Sequence, residues 1–368
     1  MSTQLRVSDI TVAVLFQDIE PPVINGVRKP KKPNGYKDSG ADIAYTLQQS
    51  NVKVLTPQTN PNPLSDSDWC FSDTEEGILS AVRRGATHLW ANTIVFEAHP
   101  LQTSSKLQQY VLQTHIVGQP PRLVEKFDDK AYLNDKLRAL GSYTLPQSWL
   151  VNPENIKVIV QSIKDYPVVA KPVRGRGSHG VRVCHNLNGL KDHLDALFQE
   201  SPTVLVEEYL AGEEATITVM PPSGERREYW CLPPVTRFNH MDGIAPYNGV
   251  VAVTANSRVV TQSELDGDSS YRAIMDECRN VAELIQARAP IRIDVRRFSP
   301  GSKFALFDIN MKPNMTGPGR PGREDQDSLT AIAAAGVGWD YATLLQKILG
   351  NSQTLEAFRK YVSPLENF

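Results

Sequence analysis

Residues 290–298 read PIRIDVRRF and residues 304–310 read FALFDIN, with the turn Ser299-Pro300-Gly301-Ser302 between them. Both runs alternate apolar and polar residues, the pattern of a strand buried on one face. Successive side chains of a strand point to opposite faces, so Arg292 and Asp294 share one face, as do Asp308 and Asn310. A hairpin folded symmetrically about Gly301 sets Asp308 opposite Asp294 and Asn310 opposite Arg292; a bulge would shift that register. The resulting sheet face carries two carboxylates, an amide oxygen and a guanidinium. Oxygen-only ligands suit Mg²⁺ or Mn²⁺ bridged to nucleotide phosphates, which makes Asp294, Asp308 and Asn310 the metal candidates. Arg292 is an anion clamp.

At 368 residues the chain has room for two or three domains. A formal net charge of −2 gives no global bias toward nucleic acid. Cys70, Cys184, Cys231 and Cys278 are scattered without a CxxC pair, which reads as free thiols in a reducing compartment. The first apolar run, Ile10 to Phe16, has the length of a strand and lacks the flanks of a signal peptide. No apolar stretch is long enough to span a membrane, so the expectation is a cytoplasmic protein.

The N-terminal third reads as α/β. Strands are expected over Ile10–Phe16, Val52–Leu55 and the run from His88, with helices over Ala41–Gln49 and Gly77–Arg84. Pro21 to Pro33 (PPVINGVRKPKKP) is proline-rich and basic, a composition typical of a solvated linker. A boundary falls near Gly118-Gln-Pro-Pro121. The charged segment from Asp128 to Leu140 reads as a helix stopped by Gly141. Strands over Tyr166–Lys171, Val181–Cys184 and Val204–Leu210 and a helix over Leu190–Gln199 make the middle block α+β. Beyond it, strands Ala215–Met220, Tyr229–Leu232 and Val250–Thr254 precede one long helix, Tyr271–Ala289. A single final helix is expected over Ser328–Leu349. The domains are therefore 1–118, 119–212 and 213–368.

Gly175-Arg-Gly177-Ser-His-Gly180 matches G-x-G-x-x-G, but the dinucleotide fingerprint needs a helix after its glycines. Here Val181-Arg-Val-Cys184 follows, another strand pattern. A flexible hairpin loop that offers backbone N–H groups to phosphates fits better, with the Ser178 hydroxyl as a further donor. Lys171 leaves a strand just before this loop and is well placed for a phosphate. Lys130 is a second candidate. The nicotinamide-oxidoreductase reading fails on the strand after Gly180.

Together these motifs resemble the ATP-grasp superfamily, and within it the D-alanine–D-alanine ligase branch, from about Val124 to Leu349. The resemblance implies a three-domain α/β and α+β architecture holding ATP between the central and C-terminal domains. It gives Lys130, Lys171, Gly177, Ser178 and Gly180 to the phosphates. It gives Glu207 and the run Glu208-Tyr209-Leu210 to the adenine, and Glu214 to the ribose. It implies two Mg²⁺ ions on Asp294, Asp308 and Asn310, with Arg292 at the oxyanion. The reaction implied is phosphorylation of a carboxylate by ATP to an acyl phosphate, followed by attack of an amine. Amino acids or similar small molecules are the expected substrates, and a homodimer is the expected assembly. Pro233 to Tyr247 is the expected lid, carrying Arg237 toward a phosphate or a substrate.

The sequence departs from the family at the substrate end. Gln17-Asp-Ile-Glu20 stands where a Gly-rich, Glu-containing turn is usual. Asn310-Met-Lys-Pro-Asn314 replaces Asn-x-x-Pro-Gly, which makes Lys312 and Asn314 unusual and alters the oxyanion contact at Asn314. Arg320 falls where the second substrate's carboxylate is usually held, and either binds one or is an exposed loop arginine. These departures argue against plain D-Ala–D-Ala synthesis and leave a nucleotide-binding protein without ligase activity as the competing reading.

Overall fold

The computed structural model describes residues 10–224, 226–246 and 251–367. It contains three main β-sheets, each with its own helical cover. In the first sheet the strand Thr11–Phe16 runs parallel to Lys53–Val54, Cys70–Ser72 and His88–Asn92. His115–Val117 extends the sheet in parallel beyond His88–Asn92, and Gln353–Thr354 returns antiparallel at its edge. Both faces of the central strand are buried. Val12 and Val14 pack with Ile43 and Leu47 of the helix Lys37–Gln49. Ala13 and Leu15 pack with Ile78 and Leu79 of the helix Glu75–Arg83. A near-continuous apolar run is what a two-sided sheet requires.

The second sheet is four-stranded and antiparallel, in the order Arg182–Cys184, Val168–Pro172, Val204–Glu208, Ser148–Val151. Val168, Ala170, Val204 and Val206 turn toward the helix Leu187–Leu197 and bury its Leu190 and Leu194. The alternate residues Lys171 and Glu207 face the other way. The third sheet pairs Glu214–Met220 with Ile291–Arg297, and that strand with Phe304–Asn310. Its apolar side, Ile217, Val219, Ile291, Ile293 and Val295, packs on Ile274, Cys278 and Val281 of the helix Ser269–Leu284. Ala211 and Gly212 join the second and third sheets, their amides donating to Phe298 O and Arg297 O at 3.0 Å each.

Several expectations change. The basic segment after Pro21 is no solvated linker. It forms a small hairpin, Val23–Ile24 with Val27–Arg28, whose Val27 is 3% exposed. Lys29 reaches Asp128 at 2.5 Å, and Arg176 Nε donates to Pro30 O at 3.0 Å. The long helix stops at Leu284, because Gln286 adopts a left-handed φ of 51°. The final helix divides into Leu329–Ala335 and Tyr341–Leu349 around Gly338, at φ 77°. Asp340 caps the second piece by accepting from Thr343 N at 2.7 Å. Val253–Ala255 is a 3₁₀ turn, and the strand lies at Ser257–Val259; Val250 lies outside the described residues. The helix ending at Gly141 forms as expected, with Asp129 as N-cap and Gly141 at φ 69°. All four cysteines are free thiols.

Candidate active site

The hairpin has the expected register at its functional end. Asp294 pairs with Asp308 and Arg292 with Asn310. Nearer the turn the pairing slips by one, Val295 with Leu306, and leaves Phe307 as a bulge. The neighbouring strand extends the same face: Thr216 lies beside Asp294, Thr218 beside Arg292, and Glu214 between Arg296 and Arg237. Three rows of polar side chains thus cover one face of a sheet whose other face is sealed by a helix.

The bulge ties this sheet to the one opposite. Lys171 Nζ donates to Phe307 O at 2.9 Å and sits 2.5 Å from Glu207 Oε2. Both side chains are almost fully buried, and Asn134 Nδ2 donates to Glu207 Oε1 at 3.2 Å. Lys130 Nζ lies 2.8 Å from Asp308 Oδ1. Arg292 grips Asp294 with two bonds of 3.0 Å, and Thr216 Oγ1 donates to Asp294 Oδ1 at 2.7 Å. Burial would raise the Asp308 carboxyl, but Lys130, Lys171 and Arg292 outweigh it and hold it below the usual carboxylate range. Lys130 is raised for the reciprocal reason: Asp308 and Asp128 overcome its desolvation.

A cleft of about 280 Å³ opens between these two sheets. It is lined by Lys130, Lys171, Glu207, Glu208, Tyr209, Leu210, Glu214, Arg237, Arg292, Asp294, Asp308, Asn310 and Asn314, together with Gly177 and Ser178. Most of the candidates therefore meet in one place. The glycine segment joins Val168–Pro172 to Arg182–Cys184 as a hairpin, with Gly177 and Ser178 at φ 56° and 59°. Gly180 does not line the cleft. Its φ is 68°, and a Cβ there would meet Leu197 at 2.9 Å, so it serves the closure of the hairpin. Arg237 Nη2 donates to Pro246 O while its Nε is buried without a partner. The expected lid is described as far as residue 246 and folds over Tyr209: a Cβ on Gly243 would meet the Tyr209 hydroxyl at 2.8 Å. Arg296 Nη1 holds Gly243 O at 2.7 Å, and His240 Nε2 lies 2.8 Å from Glu214 Oε2.

Arg320 is a correction. It neither lines the cleft nor stands exposed in a loop. At 3% exposure it donates to Asp42 Oδ1 at 2.7 Å, Asp66 Oδ1 at 2.6 Å and two backbone carbonyls. Asp42 is fully buried in the helix Lys37–Gln49 and also receives Arg323. Arg320 therefore fastens the loop after Asn314 to the first sheet's helix. His99 and Asp73 form another buried pair, 3.3 Å apart, with a structural role. His99 Nδ1 caps a helix by accepting from Leu101 N, and Asp73 Oδ1 accepts the amides of Asp18 and Ile19.

The cleft residues that the sequence does not single out as site residues include the cations Lys29, Lys32, Arg176 and Lys312. Lys312 Nζ is buried without a hydrogen bond, 3.3 Å from the centroid of the Tyr36 ring. Desolvation first, then Lys32, Lys29 and Arg176, push its amine well below the usual lysine range. The one available signal was a lysine standing directly before Pro313 in Asn310-Met-Lys-Pro-Asn314.

Residues 143–350, more than half of the chain, match the family model for the D-ala D-ala ligase C-terminus. A D-alanine–D-alanine ligase of Gloeobacter violaceus is 26% identical over 192 residues, which cover 50% of this chain and 55% of that protein. One from Syntrophotalea carbinolica is 26% identical over 194 residues, 53% of this chain and 57% of the relative. The chain thus spans little more than half the length of the curated relatives it matches. Among solved structures, the D-alanine–D-alanine ligase of Bacillus anthracis complexed with ATP superposes with a TM-score of 0.62 at 14% identity, covering 96% of this chain and 99% of that one. The VanG D-Ala:D-Ser ligase of Enterococcus faecalis gives a TM-score of 0.60 at 13% identity, with 93% and 99% covered. The fold agrees over 96% of the chain and the family model over the two sheets that form the cleft: the chain belongs to the D-alanine–D-alanine ligase branch of the ATP-grasp superfamily.

Proposed function

We propose that this protein is an ATP-dependent carboxylate–amine ligase that joins amino acids or similar small acids and releases ADP and phosphate. The observation that carries the reading is the pairing of Asp294 with Asp308 and Arg292 with Asn310 on a face that looks across the cleft at Lys130, Lys171 and the glycine hairpin. The names of the curated relatives in Gloeobacter violaceus and Syntrophotalea carbinolica, D-alanine–D-alanine ligases, support the same reaction class.

Two carboxylates and an amide oxygen are hard donors that fit Mg²⁺ or Mn²⁺. Among the described residues no third carboxylate, histidine or cysteine joins them, so the remaining oxygens would come from the nucleotide and water. Such a cation, held by Asp294, Asp308 and Asn310, would neutralise charge on the phosphate being transferred. The chain's own groups do the rest. Lys130 and Lys171 are fixed cations for the phosphates, and the glycine hairpin at Gly177 and Ser178, left-handed in φ and lining the cleft, would offer them backbone amides. Glu207 to Leu210 line the end of the cleft suited to the base. Arg292, oriented by Asp294, stabilises the oxyanion that forms when the amine attacks the activated carboxyl. Arg237 stands beside it from the lid, which excludes water from a hydrolysable intermediate. The protein would act in the cytoplasm as a homodimer.

The test is product analysis with ATP, Mg²⁺ and pooled L- and D-amino acids, D-alanine included, beside an Asp294→Asn variant. A new amide product with matching ADP, absent from the variant, is expected. ATP turnover that no carboxylate stimulates, or an equally active variant, would count against the ligase.

A further inference from the structure

The cleft is lined by basic side chains beyond those to which the ligase reading gives a role. Lys29 and Lys32 come from the basic segment, Arg176 from the glycine hairpin and Lys312 from the loop after Phe304–Asn310. Lys29 is paired with Asp128 at 2.5 Å and Lys32 with Asp38 at 2.8 Å. Arg176 spends its Nε on Pro30 O, and Lys312 makes no hydrogen bond at all. Lys29 and Lys32 thus have counter-charges, whereas Lys312 and Arg176 have no carboxylate partner among the described residues. The three cations nearest the hairpin carboxylates differ, since Lys130, Lys171 and Arg292 each have an acid partner. A buried ammonium without a counter-charge is costly to keep. It is stabilised only if an anion arrives with a ligand.

We propose that one of the two molecules joined carries an anionic group besides the reacting carboxylate, and that Lys312, with Arg176 and Lys32, receives it. The proposal rests on the ligase reading and narrows it to acidic substrates: amino acids with a side-chain carboxylate, or phosphorylated amino acids. The charged neighbours of Lys312 are Lys32, Asp38, Lys29 and Arg176, and Asp38 is already paired with Lys32. The proposed phosphate lysines sit instead on Asp308 and Glu207.

Calorimetric titration of the full chain in the presence of Mg²⁺ and a non-hydrolysable ATP analogue tests it. The probes are aspartate, asparagine, phosphoserine and serine, each in L and D form. An acidic probe should bind about tenfold or more tightly than its neutral counterpart, as a charge-assisted contact provides. Carboxylate and phosphate are told apart by which pair shows the preference. Lys312→Met should erase it, Lys312→Arg should retain most of it, and both should bind the ATP analogue within about threefold of the parent. Equal binding of acidic and neutral probes overturns the proposal, as does binding of none of them. A preference that survives Lys312→Met overturns it too, and so does a matching loss of nucleotide affinity, which would give the cluster to the phosphates. ADP release with the same probes separates the two levels. Selective, Lys312-dependent binding without ADP release from any combination supports the anion site and sinks the ligase.

Discussion

Lys171→Met isolates the contact that joins the two halves of the cleft. The substitution keeps an unbranched side chain one atom shorter and removes its charge. It deletes the 2.9 Å bond to Phe307 O and the 2.5 Å pair with Glu207. Glu207, at 3% exposure, then keeps only the neutral amide of Asn134. Stripping one partner from a buried ion pair costs about 3–5 kcal/mol, because the other charge is left in low dielectric. At about 1.4 kcal/mol per decade, amide exchange along Val168–Pro172 and Val204–Glu208 should accelerate a hundredfold or more. Adding Glu207→Gln removes the stranded charge, so the double variant should recover to within about 1–2 kcal/mol of the parent. Hydrogen exchange resolved to these strands is the proper assay, since a chain with three sheets need not unfold in one step. The single variant should also lose nucleotide affinity, and the double should not regain it. Exchange that changes less than tenfold in the single variant, or no recovery in the double, would refute the account of this pair.

Three further outcomes follow from the geometry. Arg320→Met should lower the urea midpoint by the equivalent of about 2–4 kcal/mol, because Asp42 stays buried with only Arg323; a raised substrate KM at unchanged stability would return Arg320 to the site. Gly212→Ala puts a Cβ 2.6 Å from Arg297 Cβ and 2.7 Å from Ser299 O, where backbone cannot yield, and should cost about 1–3 kcal/mol in the same assay; an unchanged midpoint would show that the junction is looser than drawn. Burial, then His115, depress His88 to about 4 from the ordinary 6.5. The unfolded chain therefore takes up a proton at His88 between those values while the folded one does not, and stability should fall by roughly 1–3 kcal/mol as pH drops from 6.5 to 4. His88→Phe should flatten that limb of a urea-midpoint profile, and an unaltered slope would assign it to other groups.

What could be read from the sequence divides along a physical line. The hairpin face was legible because pairing across a short turn is local: alternation fixes the faces, and the turn fixes the register. The bulge at Phe307 was not, and it matters, because the carbonyl it frees is the one Lys171 takes. Gly141 stopping its helix and the strand after Gly180 were equally local. Long-range partners carry no such signal. Lys29 lies next to a run of lysines and prolines that looks solvated, yet its carboxylate is Asp128, 99 residues away. Arg320 sits in a loop rich in glycine and proline, and its burial is decided by Asp42, 278 residues earlier. A hint stood at the other end of that pair: Asp42 falls between Ala41 and Ile43 in a helix rich in apolar and small residues, and a carboxylate buried there demands a cation from elsewhere. For Lys312 the decisive fact is the lack of a partner. A lysine in a sequence is solvated by default, and only the assembled cleft reveals that Tyr36, Lys32 and Arg176 surround this one, while the nearby Asp38 is paired with Lys32. The chemistry common to the family was therefore readable in short motifs, whereas the feature proposed to choose the substrate exists only once three distant segments have met.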